Sequence, residues 1–194
     1  MTQEESSELK LVPNCPYVLI GKVGSGKTML ARYIYETLKL GECQIKWLFT
    51  SSCIENWSDL HPIEKITTQD ELILSLEAIL LTLICRKEMG NAYVIIDGVI
   101  INENKQIKHF LELLFQVCRE WQITIIICIE SAVNVFTDTA KQLSNPILFT
   151  DDEIENWNIK LKHFETIKEY FGNYTGVCRD EKYIRRKSNI IFVQ

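Results

Sequence analysis

Short continuous apolar runs alternate along the chain with longer stretches in which apolar residues recur every three or four positions. Runs of the first kind read as strands buried on both faces, and the longer stretches as helices that lay one face on a sheet. Tyr17-Val18-Leu19-Ile20 is the first run, entered past Pro13 and Pro16, and Met1 to Leu9 ahead of it is polar and loose. Thr28 to Leu40 follows, with Leu30, Ile34 and Leu38 on one helical face and Gly41 placed to cap it. Gln44 to Thr50 reads as a second strand, and Ser51 to Pro62 as a loop anchored by Trp57. Thr68-Gln69-Asp70-Glu71 has capping-box spacing ahead of Leu72, Leu76, Ile79, Leu80 and Leu83, a helix that stops near Gly90.

Ala92 to Asp97 predicts the third strand, and Lys105 to Trp121 a helix whose inward face carries Phe110, Leu113, Leu114 and Val117. Ile123 to Glu130 is the most apolar strand and is expected at the centre of the sheet. Ser131 to Ser144 holds a short helix, and Pro146 to Thr150 a fifth strand. Asp151-Asp152-Glu153 suits the head of a further helical pattern that continues, with room for a break, to Phe171-Gly172. Thr175 to Val193 reads as a hairpin, with Arg179 to Lys182 as its turn and Asn189 to Val193 as its last strand. The alternation predicts an α/β fold with a mostly parallel central sheet and ligand sites at the carboxyl ends of its strands. A polar tail over residues 1–12 and one domain over 13–194, with the hairpin at about 173–194, is the expected organisation.

Composition narrows this picture only in places. With 194 residues, 46% hydrophobic and 24% charged, the chain is ordinary for a soluble globular protein. A net charge of −5 argues against indiscriminate coating of nucleic acid, while leaving room for a local basic groove. Seven cysteines without a C-x-x-C pair fit buried free thiols in a reducing compartment rather than a zinc site. The acidic, polar start has no signal-peptide character, and the longest apolar run, Leu72 to Ile84, is interrupted by Ser75 and Glu77 and too short for a bilayer. A cytoplasmic protein, in a host cell if viral, with no membrane partner is expected. His61, His109 and His163 are scattered without ligand spacing.

Gly21-Lys22-Val23-Gly24-Ser25-Gly26-Lys27-Thr28 fits the phosphate-binding P-loop pattern G-x-x-x-x-G-K-[ST], between a strand and a helix as that loop requires. Gly21, Gly24 and Gly26 let the backbone turn its N–H groups toward phosphate oxygens, Ser25 stands among them as a nucleotide-binding residue, and the helix start adds its positive dipole end. Lys27 would reach the β- and γ-phosphates, and the Thr28 hydroxyl would ligate Mg²⁺. Asp97, ending four bulky apolar residues, has the Walker B arrangement, and its carboxylate would hold the same Mg²⁺. ATP and Mg²⁺ are the expected cofactors, on a P-loop NTPase three-layer sandwich.

The order of these motifs resembles the genome-packaging ATPases of nucleocytoplasmic large DNA viruses, virophages and adintovirus-like elements, in the FtsK–HerA-like branch of P-loop ATPases. The resemblance covers roughly Asn14 to Thr150. It is carried by the P-loop, by Asp97, by Cys118-Arg119-Glu120-Trp121 before the next strand, and by Glu130 at that strand's end. It implies an ATP-hydrolysing motor that packages or translocates double-stranded DNA as a homo-oligomeric ring, with a capsid or portal protein as a further partner. Arg119 stands where the family's arginine precedes the sensor strand, and Glu130 at the sensor position, where Gln is commoner.

Gly98 departs from the pattern, because the family has there a second acid that polarises the attacking water. Glu130 is then the first candidate to position water, followed by Glu103 and Glu55. Arg119 has two readings, an arginine finger acting in cis or from a neighbouring subunit, and a cation at a helix end paired with a local acid. Lys182, Arg185, Arg186 and Lys187, with Tyr183 among them, read either as a contact to a nucleic-acid backbone or as a solvated hairpin edge. A degenerate nucleotide-binding switch or accessory subunit is the alternative function. A nucleoside or small-molecule kinase is disfavoured, because the stretch from Lys105 to Phe149 holds only Arg119 where a phosphate-clamping lid needs several arginines.

Overall fold

The structure is a computed structural model that describes residues 11–38, 45–51, 57–60, 63–85, 91–101, 103–131, 134–148, 163–165 and 190–192. Strands β1 (Pro16–Ile20), β2 (Ile45–Thr50), β3 (Ile63–Lys65), β4 (Ala92–Asp97), β5 (Ile123–Ile129) and β6 (Asn145–Leu148) form the parallel part of the sheet. Two short strands, β7 (His163–Glu165) and β8 (Ile190–Phe192), extend the β6 edge antiparallel, giving the order β3-β2-β4-β5-β1-β6-β8-β7. The helices are α1 (Lys27–Leu38), α2 (Gln69–Ile84), α3 (Lys105–Val117) and α4 (Asp138–Leu143).

Alternate residues of a strand point to opposite faces, and both faces here are covered. Val18, Ile20, Val94, Ile96, Ile125 and Ile127 pack with α2, α3 and α4. Tyr17, Leu19, Tyr93, Ile95, Ile126 and Cys128 pack with α1. Every residue of β1, β4 and β5 is buried, and so continuous apolar runs rather than alternating ones mark these strands in the sequence. This is the expected three-layer α/β arrangement, and β5 is central as its composition requires.

The local signals explain most of the elements. Thr68 accepts from the Glu71 N–H while the Glu71 carboxylate accepts from the Thr68 N–H, so the capping box of α2 is complete. The Thr67 N–H and hydroxyl, and then the Thr68 N–H, donate to the Glu71 carboxylate and hold it below the ordinary glutamate range. Asn104 caps α3 by accepting from the Gln106 and Ile107 N–H groups. Helix α3 is rotated from the expected face: Ile107, Leu111, Leu114 and Phe115 are buried, whereas Phe110 and Val117 are only partly so. A face that meets α2, α4 and the sheet is wider than one stripe, so apolar spacing alone misplaces its centre.

Two elements correct the sequence reading. Strand β3, which was not expected, pairs with β2 in the register Leu48↔Ile63, Phe49↔Glu64 and Thr50↔Lys65. Its Glu64 and Lys65 suit an exposed edge, and Glu64 accepts from the Ser75 hydroxyl of α2 at 2.8 Å. His163–Glu165 is strand rather than part of the helix expected from Asp151, because it pairs with β8, a partner far along the chain. Helix α2 ends at Ile84 with Cys85 as its C-cap, short of the expected stop near Gly90. The rest of the helix expected from Asp151 lies outside the described residues, as do the Gly41 cap, the hairpin turn and the basic cluster from Lys182 to Lys187.

Candidate nucleotide site

The carboxyl ends of β1, β4 and β5 come together at one rim of the sheet. Strand β5 lies between the other two, so β1 and β4 are roughly 10 Å apart at about 4.8 Å per strand. The first turn of α1 bridges that gap. The Thr28 hydroxyl donates to Asp97 Oδ1 at 3.1 Å. At the far end of α1 the Tyr93 hydroxyl donates to the Leu38 carbonyl, so the helix is tied to β4 at both ends.

The loop from Gly21 to Gly26 turns left-handed at two of its glycines. Gly24 and Gly26 have φ of 77° and 97°, a left-handed region that a side chain would oppose. Ser25 N–H donates to the Lys22 carbonyl at 3.1 Å. Lys27 Nζ folds back to donate to the carbonyls of Gly21 at 2.5 Å and Lys22 at 3.0 Å. The Ser25 hydroxyl is buried without a hydrogen-bond partner among the described residues, an orphan that a phosphate oxygen would satisfy.

Asp97 follows from strand parity. It falls on the same face as Tyr93 and Ile95, the face covered by α1, and is 1% exposed. Its hydrogen-bond partners among the described residues are neutral: Thr28 at Oδ1, and the Trp57 indole N–H at Oδ2 at 2.8 Å. A buried carboxylate with only neutral donors is an incomplete charge arrangement that a hard cation would complete. The described residues hold no cluster of three or more His, Cys, Asp or Glu that could take a metal alone. That suits Mg²⁺, which uses one or two protein oxygens and fills its shell with phosphate and water. The residues present therefore fit Mg²⁺ at Thr28 and Asp97.

Gly98 has φ of 72°, and its carbonyl accepts from the Ser51 hydroxyl at the end of β2. The chain thus turns left-handed directly after Asp97. A second acid at this position would carry about 1–2 kcal/mol of backbone strain, so its absence is built into the main chain as well as the side chain.

The candidates for water positioning are dispersed. The Ile129 carbonyl accepts from the Gly21 N–H at 3.1 Å, which sets exposed Glu130 immediately beside the start of the P-loop. Glu103, also exposed, engages Lys108 and Asn134, each at 3.5 Å. Glu55 lies outside the described residues.

Arg119 lies at the opposite rim. It follows α3 and precedes β5, in a turn where Ile123 N–H donates to the Cys118 carbonyl at 2.7 Å. Its positive charge acts on the thiols of Cys15, at the entry to β1, and Cys118. Burial outweighs that charge, raising both thiols, Cys118 to about 11. The fold thus brings Lys27, Thr28, Asp97 and Glu130 to one rim and leaves Arg119 at the other.

Reading by spacing missed Trp57 as a partner of Asp97. An isolated tryptophan in a polar loop signals an anchor, but nothing in its spacing names the carboxylate it meets.

No protein-family model matches the chain, and no curated protein matches it. Solved structures share the fold. The genome-packaging NTPase B204 of Sulfolobus turreted icosahedral virus 2, in complex with sulfate, aligns with a TM-score of 0.54 at 14% identity, covering 94% of this chain and 98% of that one. The same protein in complex with AMPPCP aligns at 0.50 with 12% identity, covering 94% of this chain and 100% of that chain. EssC (ATPases 2 and 3) of Geobacillus thermodenitrificans aligns at 0.52 with 16% identity over 73% of this chain, which spans only 30% of the EssC chain. The chain has the α/β fold of P-loop ATPases, and the resemblance to viral packaging and FtsK-like ATPases holds at the level of fold. No helix among the described residues is long and apolar enough to cross a membrane.

Proposed function

We propose that the chain is an Mg·ATP-dependent ATPase motor that packages or translocates viral double-stranded DNA, working as a ring of identical copies. The observation that carries the ATPase reading is the meeting of P-loop and Walker B strand at the Thr28–Asp97 hydrogen bond of 3.1 Å. The packaging reading is supported by the near-complete mutual coverage with B204, a structure of comparable extent described as a genome-packaging NTPase. In this reading Lys27 leaves the Gly21 and Lys22 carbonyls to meet the phosphates, and the backbone of Gly24 to Gly26 cradles them. Thr28 and Asp97 would hold Mg²⁺, which neutralises charge on the phosphates when bound.

Glu130 would orient the attacking water, a reading supported by its position next to the start of the P-loop. Arg119 acts only between copies, since the β1 strand separates it from the nucleotide rim of its own chain. A capsid or portal partner and a cytoplasmic setting belong to the same proposal. The test is ATP hydrolysis with and without double-stranded DNA. Stimulation by DNA that disappears in Lys27→Ala is expected. Its absence with Mg²⁺ present and oligomers confirmed would sink the motor.

The left-handed Gly98 favours a second reading, a nucleotide-binding switch or accessory subunit with weak hydrolysis. Tight ATP binding without turnover, unaffected by DNA, is the outcome that selects it. Phosphoryl transfer to a nucleoside would instead select a kinase.

A further inference from the structure

Trp57 is fully buried, yet it comes from a turn closed by the Leu60 N–H to Trp57 carbonyl hydrogen bond at 2.8 Å, outside the regular strands and helices. Burying an indole requires a partner for its N–H. Here that partner is the Walker B carboxylate itself, at 2.8 Å. The other face of the arrangement is equally specific. The Arg32 guanidinium, one turn further along α1 than Thr28, lies 5.6 Å from the Trp57 ring centroid. It grips Asp59 through two hydrogen bonds, the Nη1–Oδ1 one at 2.6 Å, and lies 3.3 Å from Glu36. The turn carrying Trp57 is therefore fastened to the helix that follows the P-loop, and its indole is pressed onto Asp97.

The consequence is rotational. A carboxylate held only at Oδ1 by Thr28 can swing about its last torsion. Held at Oδ2 as well, it keeps a fixed plane, and Oδ1 stays directed at the Thr28 hydroxyl. Resting on the Mg·nucleotide reading above, we propose that Trp57 is a positioning residue for Asp97, and that the Arg32–Asp59 pair clamps the indole so that the metal-holding oxygens are aligned before nucleotide arrives. The role requires a hydrogen bond from the indole N–H. Apolar bulk at position 57 does not supply it.

Two measurements test this. In the protein without nucleotide, the indole ¹⁵N–¹H resonance of Trp57 should exchange slowly with solvent and move when Asp97 is replaced by Asn. Rapid exchange, or a resonance indifferent to Asp97→Asn, overturns the proposal without any need for a folded Trp57 variant. Second, Trp57→Phe keeps a ring under Arg32 and deletes the donor. Nucleotide affinity in EDTA should then stay within about twofold of the parent, while the Mg²⁺ concentration that half-saturates the metal-dependent gain in ATP affinity rises about tenfold, the expected effect of losing one hydrogen bond to a charged group. An unchanged Mg²⁺ dependence in Trp57→Phe, with the parent responding to Mg²⁺, overturns the positioning role alone. A parent whose ATP binding ignores Mg²⁺ overturns the underlying reading and this role with it.

Discussion

Along one rim of the sheet, two neighbouring groups of side chains are treated very differently. Thr28, Asp97 and Trp57 are tied to one another by hydrogen bonds of 2.8–3.1 Å around a carboxylate that is almost fully buried. Glu103 and Glu130 face solvent, and Gly98 offers no side chain at all. In the proposed reading the first group would hold Mg·nucleotide, and it is assembled within one chain. The second is where hydrolysis would need a water-orienting acid, and it is not gathered around the first. Preorganised dipoles act without reorganisation at the moment of reaction, whereas solvent-facing carboxylates must first be aligned. A motor in which DNA or a neighbouring copy completes the hydrolytic geometry would use this division, and Arg119 at the far rim fits such a neighbour.

The contrast can be broken most sharply at its holding side. Lys27→Ala should lower ATP turnover by roughly 10²–10³-fold, as loss of a group that stabilises transition-state charge does. Wild-type turnover in this variant would mean that the P-loop is not the hydrolytic site. Glu130→Gln should reduce turnover by about 10²-fold and leave nucleotide affinity unchanged, the separation expected of a group acting on water. Turnover equal to the parent's would take Glu130 out of the mechanism and leave Glu103 and Glu55 to be compared.

Arg119→Ala should leave the nucleotide affinity of isolated monomers untouched and lower turnover in the assembled ring by roughly tenfold or more. A loss of affinity in the monomer would contradict its place at the opposite rim. The smallest effect is expected at Gly98→Ala: a loss of about 1–2 kcal/mol in unfolding free energy, measured from the denaturant midpoint, because a methyl group opposes its left-handed backbone. No loss would show that the turn after Asp97 can relax, and that a second acid is compatible with this main chain.

Much of the holding side was legible in the sequence. The glycine spacing from Gly21 to Gly26, followed by Lys27 and Thr28, carries its own backbone geometry, and the apolar run ending at Asp97 announces a strand buried on both faces. The Thr68–Glu71 cap and the central place of Ile123–Ile129 were equally readable, because capping is local and burial on two faces leaves a continuous apolar run. Less was readable where pairing is remote and short. Strand β3 and His163–Glu165 are three residues each, too few to display a period, and both are defined by the strand beside them. The centre of the covered face of α3 is not legible from spacing, because α2, α4 and the sheet together decide which of its apolar residues are covered.

The sequence by itself determined that a loop with P-loop spacing stands between a strand and a helix, that an aspartate ends a buried strand, and that the position after it lacks a side chain. These are properties of residue type and near spacing, which the chain carries before it folds. Only the tertiary structure decided that β5 separates β1 from β4, that α1 crosses over it to join Thr28 to Asp97, and that Trp57 closes the other side of the carboxylate. It also decided that Arg119 lies at the opposite rim from Gly21, Thr28 and Asp97. Each of these depends on strand order and on which face of a strand meets which helix, and those are set by how the whole apolar surface is buried rather than by any local run of residues.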